Sequence, residues 1–191
     1  MKSKLFFLIL IISFTILIAC GSQKQVVKSE TQTESETSVP DWFNTPPEEP
    51  DYLYAAATAT SKDLQMAINK AKQQGRADIG SQLEIRLQGL NKQFQEEVGV
   101  GEESDFAAQT TVVIKEVVSQ TINGCKVKHQ KTNKEGSIYR AYVLMQHPIG
   151  AANAQFLESL KSQKIVNQRL QATEAFKELE TEVQKYEQEK K

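Results

Sequence analysis

Few residues in this chain carry reactive groups. Its only thiols are Cys20 and Cys125, and its only imidazoles are His129 and His147. A zinc-type centre needs three or four such ligands converging at fixed spacing. Here the histidines fall on or after opposite strands of an expected hairpin with no paired ligand, so each reads as a strand-surface or core-edge residue. Gly99 and Gly101 lack the following Gly-Lys-Ser/Thr of a phosphate loop, and no Gly-x-Ser-x-Gly elbow occurs. The carboxylates are strung along charged helical faces, where solvation is their role. The sequence therefore predicts no catalytic residue, no metal, no cofactor and no enzyme. Cys125, next to Gly124 at the start of a strand pattern, reads as a small buried hydrophobe. That leaves Cys20, at the end of an apolar run, as the one position where covalent chemistry is expected.

Lys2 and Lys4 precede an apolar stretch over residues 5–18, which is followed by Ala19, Cys20, Gly21 and Ser22. A positive start, a short apolar core and a small-residue cleavage site make a signal peptide over residues 1–19. The apolar run has 14 residues, short of the roughly 20 that a spanning helix needs. Leu17-Ile18-Ala19-Cys20 resembles a bacterial lipobox. That resemblance implies diacylglycerol on the Cys20 thiol, cleavage before it, and acylation (palmitate or a similar chain) of the new amine. More than one acyl chain makes membrane attachment effectively permanent. Gly21 follows the cysteine where an Asp would resemble an inner-membrane retention signal, so outer-membrane sorting is expected. Without residues 1–19 the chain loses Lys2 and Lys4 and carries 21 basic against 24 acidic groups. No basic patch recommends nucleic acid.

The elements that follow must position whatever the anchor carries. Residues 20–39 are rich in Ser, Thr, Gln and Glu with no aromatic, a lipidated cysteine and flexible tether. Composition changes at Pro40. Trp42 and Phe43 sit among Pro40, Pro46 and Pro47 in a strap that is cheap to order. The pair either seals the edge of its own core or contacts a partner. Residues 52–60, YLYAAATAT, alternate as a strand whose alanine face lets a helix approach closely. Ser61 is the expected N-cap of that helix, and Leu64, Ile68, Ala71, Gly75, Ile79, Leu83, Leu87, Leu90 and Phe94 keep helical spacing to about Val98. Phe106, Thr110, Val113, Val117 and Thr121 mark a second helix ended by Asn123-Gly124. A hairpin follows, residues 125–130 alternating, residues 133–136 turning and residues 137–146 returning.

Residues 149–191 are rich in Glu, Gln, Lys, Leu and Ala and read as one long helix. Its second half has a heptad-like stripe, including Ile165, Ala172, Phe176, Leu179, Val183 and Tyr186. Two readings stay open for it: packing on its own domain, or an oligomer or partner contact. Phe176, Leu179, Val183 and Tyr186 therefore join Trp42 and Phe43 as candidate partner contacts. The expected fold class is α+β, a small antiparallel sheet of one strand plus a β-hairpin packed by two helices. The α+β domain covers residues 40–148 and the C-terminal helix residues 149–191.

Pro40-x-Trp42, Tyr52-Leu53-Tyr54-Ala55-Ala56-Ala57, Ala67-x3-Ala71, Arg76-Ala77-x-Ile79 and a hairpin ending in Tyr142-Val143-Leu144 resemble, in that order, the LPP twenty-kilodalton lipoprotein family. That family looks related to lipoproteins of flagellar basal discs. The resemblance implies an outer-membrane lipoprotein of the cell envelope with a small α+β domain, no catalytic residues and, in some members, self-assembly. The expected function is a non-enzymatic, structural role: scaffolding or assembly, with the membrane as partner through the lipid and self-association or an envelope protein as further partners. The rival is a module that binds peptidoglycan or a hydrophobic ligand with its aromatic strap.

Overall fold

Alternation of small apolar residues and a run of caps fix the elements seen in the computed structural model, which describes residues 38–101 and 104–190. The signal peptide, Cys20 and nearly all of the tether lie outside the described residues. The chain opens with a helical turn α1 (Asp41–Asn44), then β1 (Tyr52–Ser61), the long helix α2 (Leu64–Val98) and helix α3 (Asp105–Gly124). The hairpin β2 (Lys126–Glu135) and β3 (Ile138–Pro148) follows, and α4 (Ile149–Ser162), α5 (Gln168–Ala172) and α6 (Glu174–Glu189) complete it. The three strands form one antiparallel sheet in the order β1-β3-β2. The expected α+β class and the strand-plus-hairpin sheet are therefore present.

β3 is central, and all of Ala141, Tyr142, Val143, Leu144 and Met145 are buried, because both of its faces are covered. The odd-numbered face holds Ala55, Ala57, Ala141, Val143 and Met145. It packs on Ala67, Ala71, Gly75 and Ile79 of α2. A Cβ on Gly75 would stand 2.6 Å from Met145 Cγ and 3.5 Å from Ala57 Cβ, so glycine is required for helix and sheet to meet at this distance. The opposite face carries the proline strap. Phe43 meets Tyr142 edge to face at 5.0 Å and Trp42 stacks on His129 at 5.8 Å.

α2 is 35 residues long, about 52 Å at 1.5 Å per residue, and runs past the end of the sheet. Its overhang is what the later helices cover. Leu83, Leu87 and Phe94 form a second core with Val113 and Val117 of α3, Phe156 and Leu160 of α4, Leu170 of α5 and Phe176, Leu179 and Val183 of α6. Phe94 stacks parallel on Phe156 at 6.5 Å and lies 6.2 Å from Phe176.

Four local expectations are corrected. The N-cap of α2 is Asp63, whose carboxylate accepts from Met66 N–H at 2.7 Å, while Ser61 ends β1. The hairpin turn is tighter than residues 133–136: only Gly136 and Ser137 lie between the strands, with Gly136 at φ 60, the first-position glycine of a II′ turn. β2 carries a bulge between Val127 and His129, which breaks the simple alternation. Residues 149–191 are not one long helix. Lys164 takes φ 57, Asn167 accepts from Leu170 N–H, and the Thr173 hydroxyl accepts from Phe176 N–H, so the chain turns twice. A straight helix of that length would leave Phe176, Leu179 and Val183 in water. Folding back buries them on α2 and α4.

Candidate functional site

Cys20, the expected lipid carrier, lies outside the described residues. Ser38, the first described residue, is held by β2: Lys131 Nζ donates to its hydroxyl at 3.2 Å and Asn133 Nδ2 to its carbonyl at 3.5 Å. Pro40 next to it is buried. Two residues on, Trp42 and Phe43 are half-buried on their own sheet, which leaves them sealing the fold instead of standing free as partner contacts. An aromatic ring buries enough apolar surface to hold such a strap down without a partner.

Downstream, the strap is pinned by a charged cluster whose members nothing in the residue pattern groups. Lys128, the residue at the β2 bulge, donates to Glu49 Oε1 at 2.6 Å and to the Tyr54 hydroxyl oxygen at 2.6 Å, with its ammonium 4.4 Å from the centre of the Tyr54 ring. The hydrogen bond from Lys128 holds the Glu49 carboxyl below its usual range, and Glu49 in turn raises Lys128. Burial pushes the Tyr54 phenol up. The bulge is the missing signal: a period-two reading of β2 does not reveal which lysine is turned towards the strap.

The C-terminal candidates are also placed within the fold. Phe176, Leu179 and Val183 are 1%, 2% and 6% exposed, so they are core residues of this chain and are corrected as partner contacts. Tyr186 is half-buried over Gly150, where an added Cβ would meet its ring Cγ at 2.5 Å. Beside Tyr186 opens a cleft of about 600 Å³, lined by Tyr52, Arg86, Asn153, Glu182 and Lys185 among others. Within it Asn153 Nδ2 donates to Glu182 at 2.6 Å and Arg86 lies 3.5 Å from the same carboxylate. A second cleft of about 580 Å³ lies between the strap prolines Pro46 and Pro47 and the side chains of Tyr52, Tyr54 and Gln82.

Cys125 is buried, donates to Thr121 O at 3.2 Å, and burial pushes its thiol up to about 11. His129 is exposed under Trp42, whereas His147 is 5% exposed with neither ring nitrogen in a well-formed hydrogen bond. Burial lowers the His147 pKa, the Gly124 main chain working the other way. Among the described residues no group of three or more His, Cys, Asp or Glu converges, and no helix is long and apolar enough to cross a membrane.

Comparison with known families gives one finding: the family model described as LPP20 lipoprotein matches residues 40–147. The match starts at the first strap proline and ends one residue before β3 does. No curated protein and no solved structure matches the chain.

Proposed function

Because this chain belongs to the LPP20 lipoprotein family, a family of envelope lipoproteins, we propose that it is a non-enzymatic, lipid-anchored scaffold of the bacterial outer membrane. The observation that carries this reading is how the anchor side of the chain is received. The residues that follow the tether are built into the sheet at once, through Ser38 on Lys131 and Asn133, buried Pro40, and Phe43 on Tyr142. A pull on a lipid at Cys20 is thereby delivered to a rigid sheet, as a structural element requires. Gly21 after Cys20 supports outer-membrane sorting. Partners of this role are the membrane, through the lipid, and a second copy or an envelope protein, through the domain.

Metabolic labelling with palmitate, membrane separation on a density gradient and native electrophoresis of the detergent extract test it together. Label on the wild type, its loss in Cys20→Ser, recovery in the outer-membrane fraction and a complex larger than one chain are expected. An unlabelled protein, or a labelled monomer with no envelope partner, refutes the scaffold. A second reading, binding of a cell-wall fragment, draws on the cleft beside Tyr52 and Tyr186 in place of the occupied aromatic strap. Co-sedimentation with purified sacculi that Tyr186→Ala reduces would favour it.

A further inference from the structure

The two outer strands of the sheet are defended unequally. β2 carries Lys126, Lys128, Lys131 and Lys134, a bulge, and the arriving chain at Ser38. Lysines and bulges are what keep a strand edge from pairing with another chain. β1 has neither: YLYAAATATS is ten residues without a charge, a proline or a bulge. Its first outward groups are occupied, since Tyr52 N–H donates to Glu49 O at 3.1 Å and Tyr54 O accepts from Gln82 Nε2 at 2.9 Å. In an antiparallel ladder the outward-facing residues alternate, so the next are Ala56, Thr58 and Thr60. Among the described residues no hydrogen bond reaches their main chain on that side.

We propose that β1 pairs antiparallel with β1 of a second copy, with Thr58 opposite Thr58 and Ala56 opposite Thr60, making one six-stranded sheet. This inference rests on the scaffold reading and names its interface. Three features select a second copy as the occupant. Ser38 is bonded to β2, the far edge of the sheet. The pairing keeps side-chain faces matched, because even-numbered residues meet even-numbered ones around a two-fold axis normal to the sheet. Such an axis also leaves both proline straps on the same face of the joined sheet.

The helices supply charge complementarity. α2 covers β1 and β3, and Ala57 lies opposite Gly75. Adding one strand spacing of about 4.8 Å across the new seam puts the two α2 axes about 10 Å apart, an ordinary helix-packing distance. The row facing the seam is the i, i+4 series ending in Gln82, which reaches over β1, and it includes Gln74, bonded to Asp78 at 2.9 Å, and Lys70. Reversed about a point near residue 74, this row sets Lys70 of each copy against Asp78 of the other.

The test uses the full lipidated chain. Hydrogen-bonded antiparallel pairs have Cα atoms about 5.5 Å apart, within disulfide range. Under mild oxidation in membranes Thr58→Cys is therefore expected to give a covalent dimer, and Lys134→Cys on the β2 edge none. In detergent, light scattering is expected to show a dimer that Thr58→Lys and Asp78→Lys each weaken on the order of 100-fold. Lys70→Asp with Asp78→Lys is expected to restore it, and circular dichroism melts report that each variant is folded. A dimer indifferent to both Thr58→Lys and Asp78→Lys overturns this pairing while leaving the scaffold reading intact. A folded monomer with slowly exchanging Ala56, Thr58 and Thr60 amides overturns it in favour of cover by the chain's own upstream residues. A folded monomer with fast exchange overturns it outright, and the scaffold then stands only if envelope partners are recovered.

Discussion

Truncating Phe176 to alanine separates a helix that belongs to the core from one that waits for a partner. Its ring is 1% exposed and lies 6.2 Å from Phe94, which itself stacks on Phe156. Burying a phenylalanine side chain is worth roughly 1.5–3 kcal/mol in transfer terms. The neighbouring rings Phe94 and Phe156 come from two other helices, α2 and α4, each fixed by its own packing, so the site can collapse only in part. The residual cavity lifts the expected loss to about 3–5 kcal/mol. A domain of this size has a total stability of about 5–15 kcal/mol, so one substitution removes a large fraction of it. Guanidinium denaturation of the full chain, followed by far-ultraviolet dichroism, should show the midpoint falling by about 1 M with a little-changed slope. If α6 were instead an interface helix resting loosely on the domain, Phe176→Ala would act as a surface change. Its effect on folding would then stay within about 0.5 kcal/mol, and only the size of the complex would change. A midpoint within error of wild type refutes the placement of α6 in the core.

Three further outcomes follow from the packing. Gly75→Val should lower the denaturation midpoint by the equivalent of about 1–3 kcal/mol through its clash with Met145, and Met145→Ala should relieve part of that loss in the double variant. His147 should make the fold acid-sensitive. Its folded pKa lies below the ordinary 6.5 because burial disfavours the charged ring, so stability is complete above about 6.5 and falls as pH drops below it, the unfolded chain taking the proton first; a His147→Gln variant that keeps the same slope in urea melts between pH 7 and 5 refutes this. Cys125, with its thiol pushed up to about 11, should resist a disulfide reagent at pH 8 in the native protein and react promptly in guanidinium.

What the amino-acid pattern revealed and what it hid divide along physical lines. The alanine face of β1 and the small-residue row Ala67, Ala71 and Gly75 are readable as a close strand–helix contact, since only small side chains permit one, and the structure brings them together. Interior elements of this kind are written in periodicity. The course of residues 149–191 is not, because it depends on two polar caps, Asn167 and Thr173, and on Lys164 accepting a left-handed backbone. None of these interrupts the helical composition that surrounds it. The stripe was visible, but a stripe states only that a face must be covered, and the overhang of α2 that covers it arises from the length of another element. The Glu49–Lys128–Tyr54 cluster was hidden for a related reason, as a bulge shifts a side chain without changing the residue types around it.

The proposed pairing surface lies away from the features that looked most reactive. Aromatics and heptad positions draw attention because they are costly to expose, and that cost is why the fold consumes them: Trp42 and Phe43 on the strap face, Phe176 and Leu179 beneath α2. A strand edge costs little to leave in water, since water satisfies its amides and carbonyls, so it can stay open until a matching edge arrives. In β1 the alanines that let α2 come close also leave nothing on the strand to repel a second copy. The requirement for tight packing inside the domain and the capacity for pairing outside it thus come from the same short side chains. A substitution that charges the edge at exposed Thr58 separates the two, because the contact with α2 at Ala57 is on the other face.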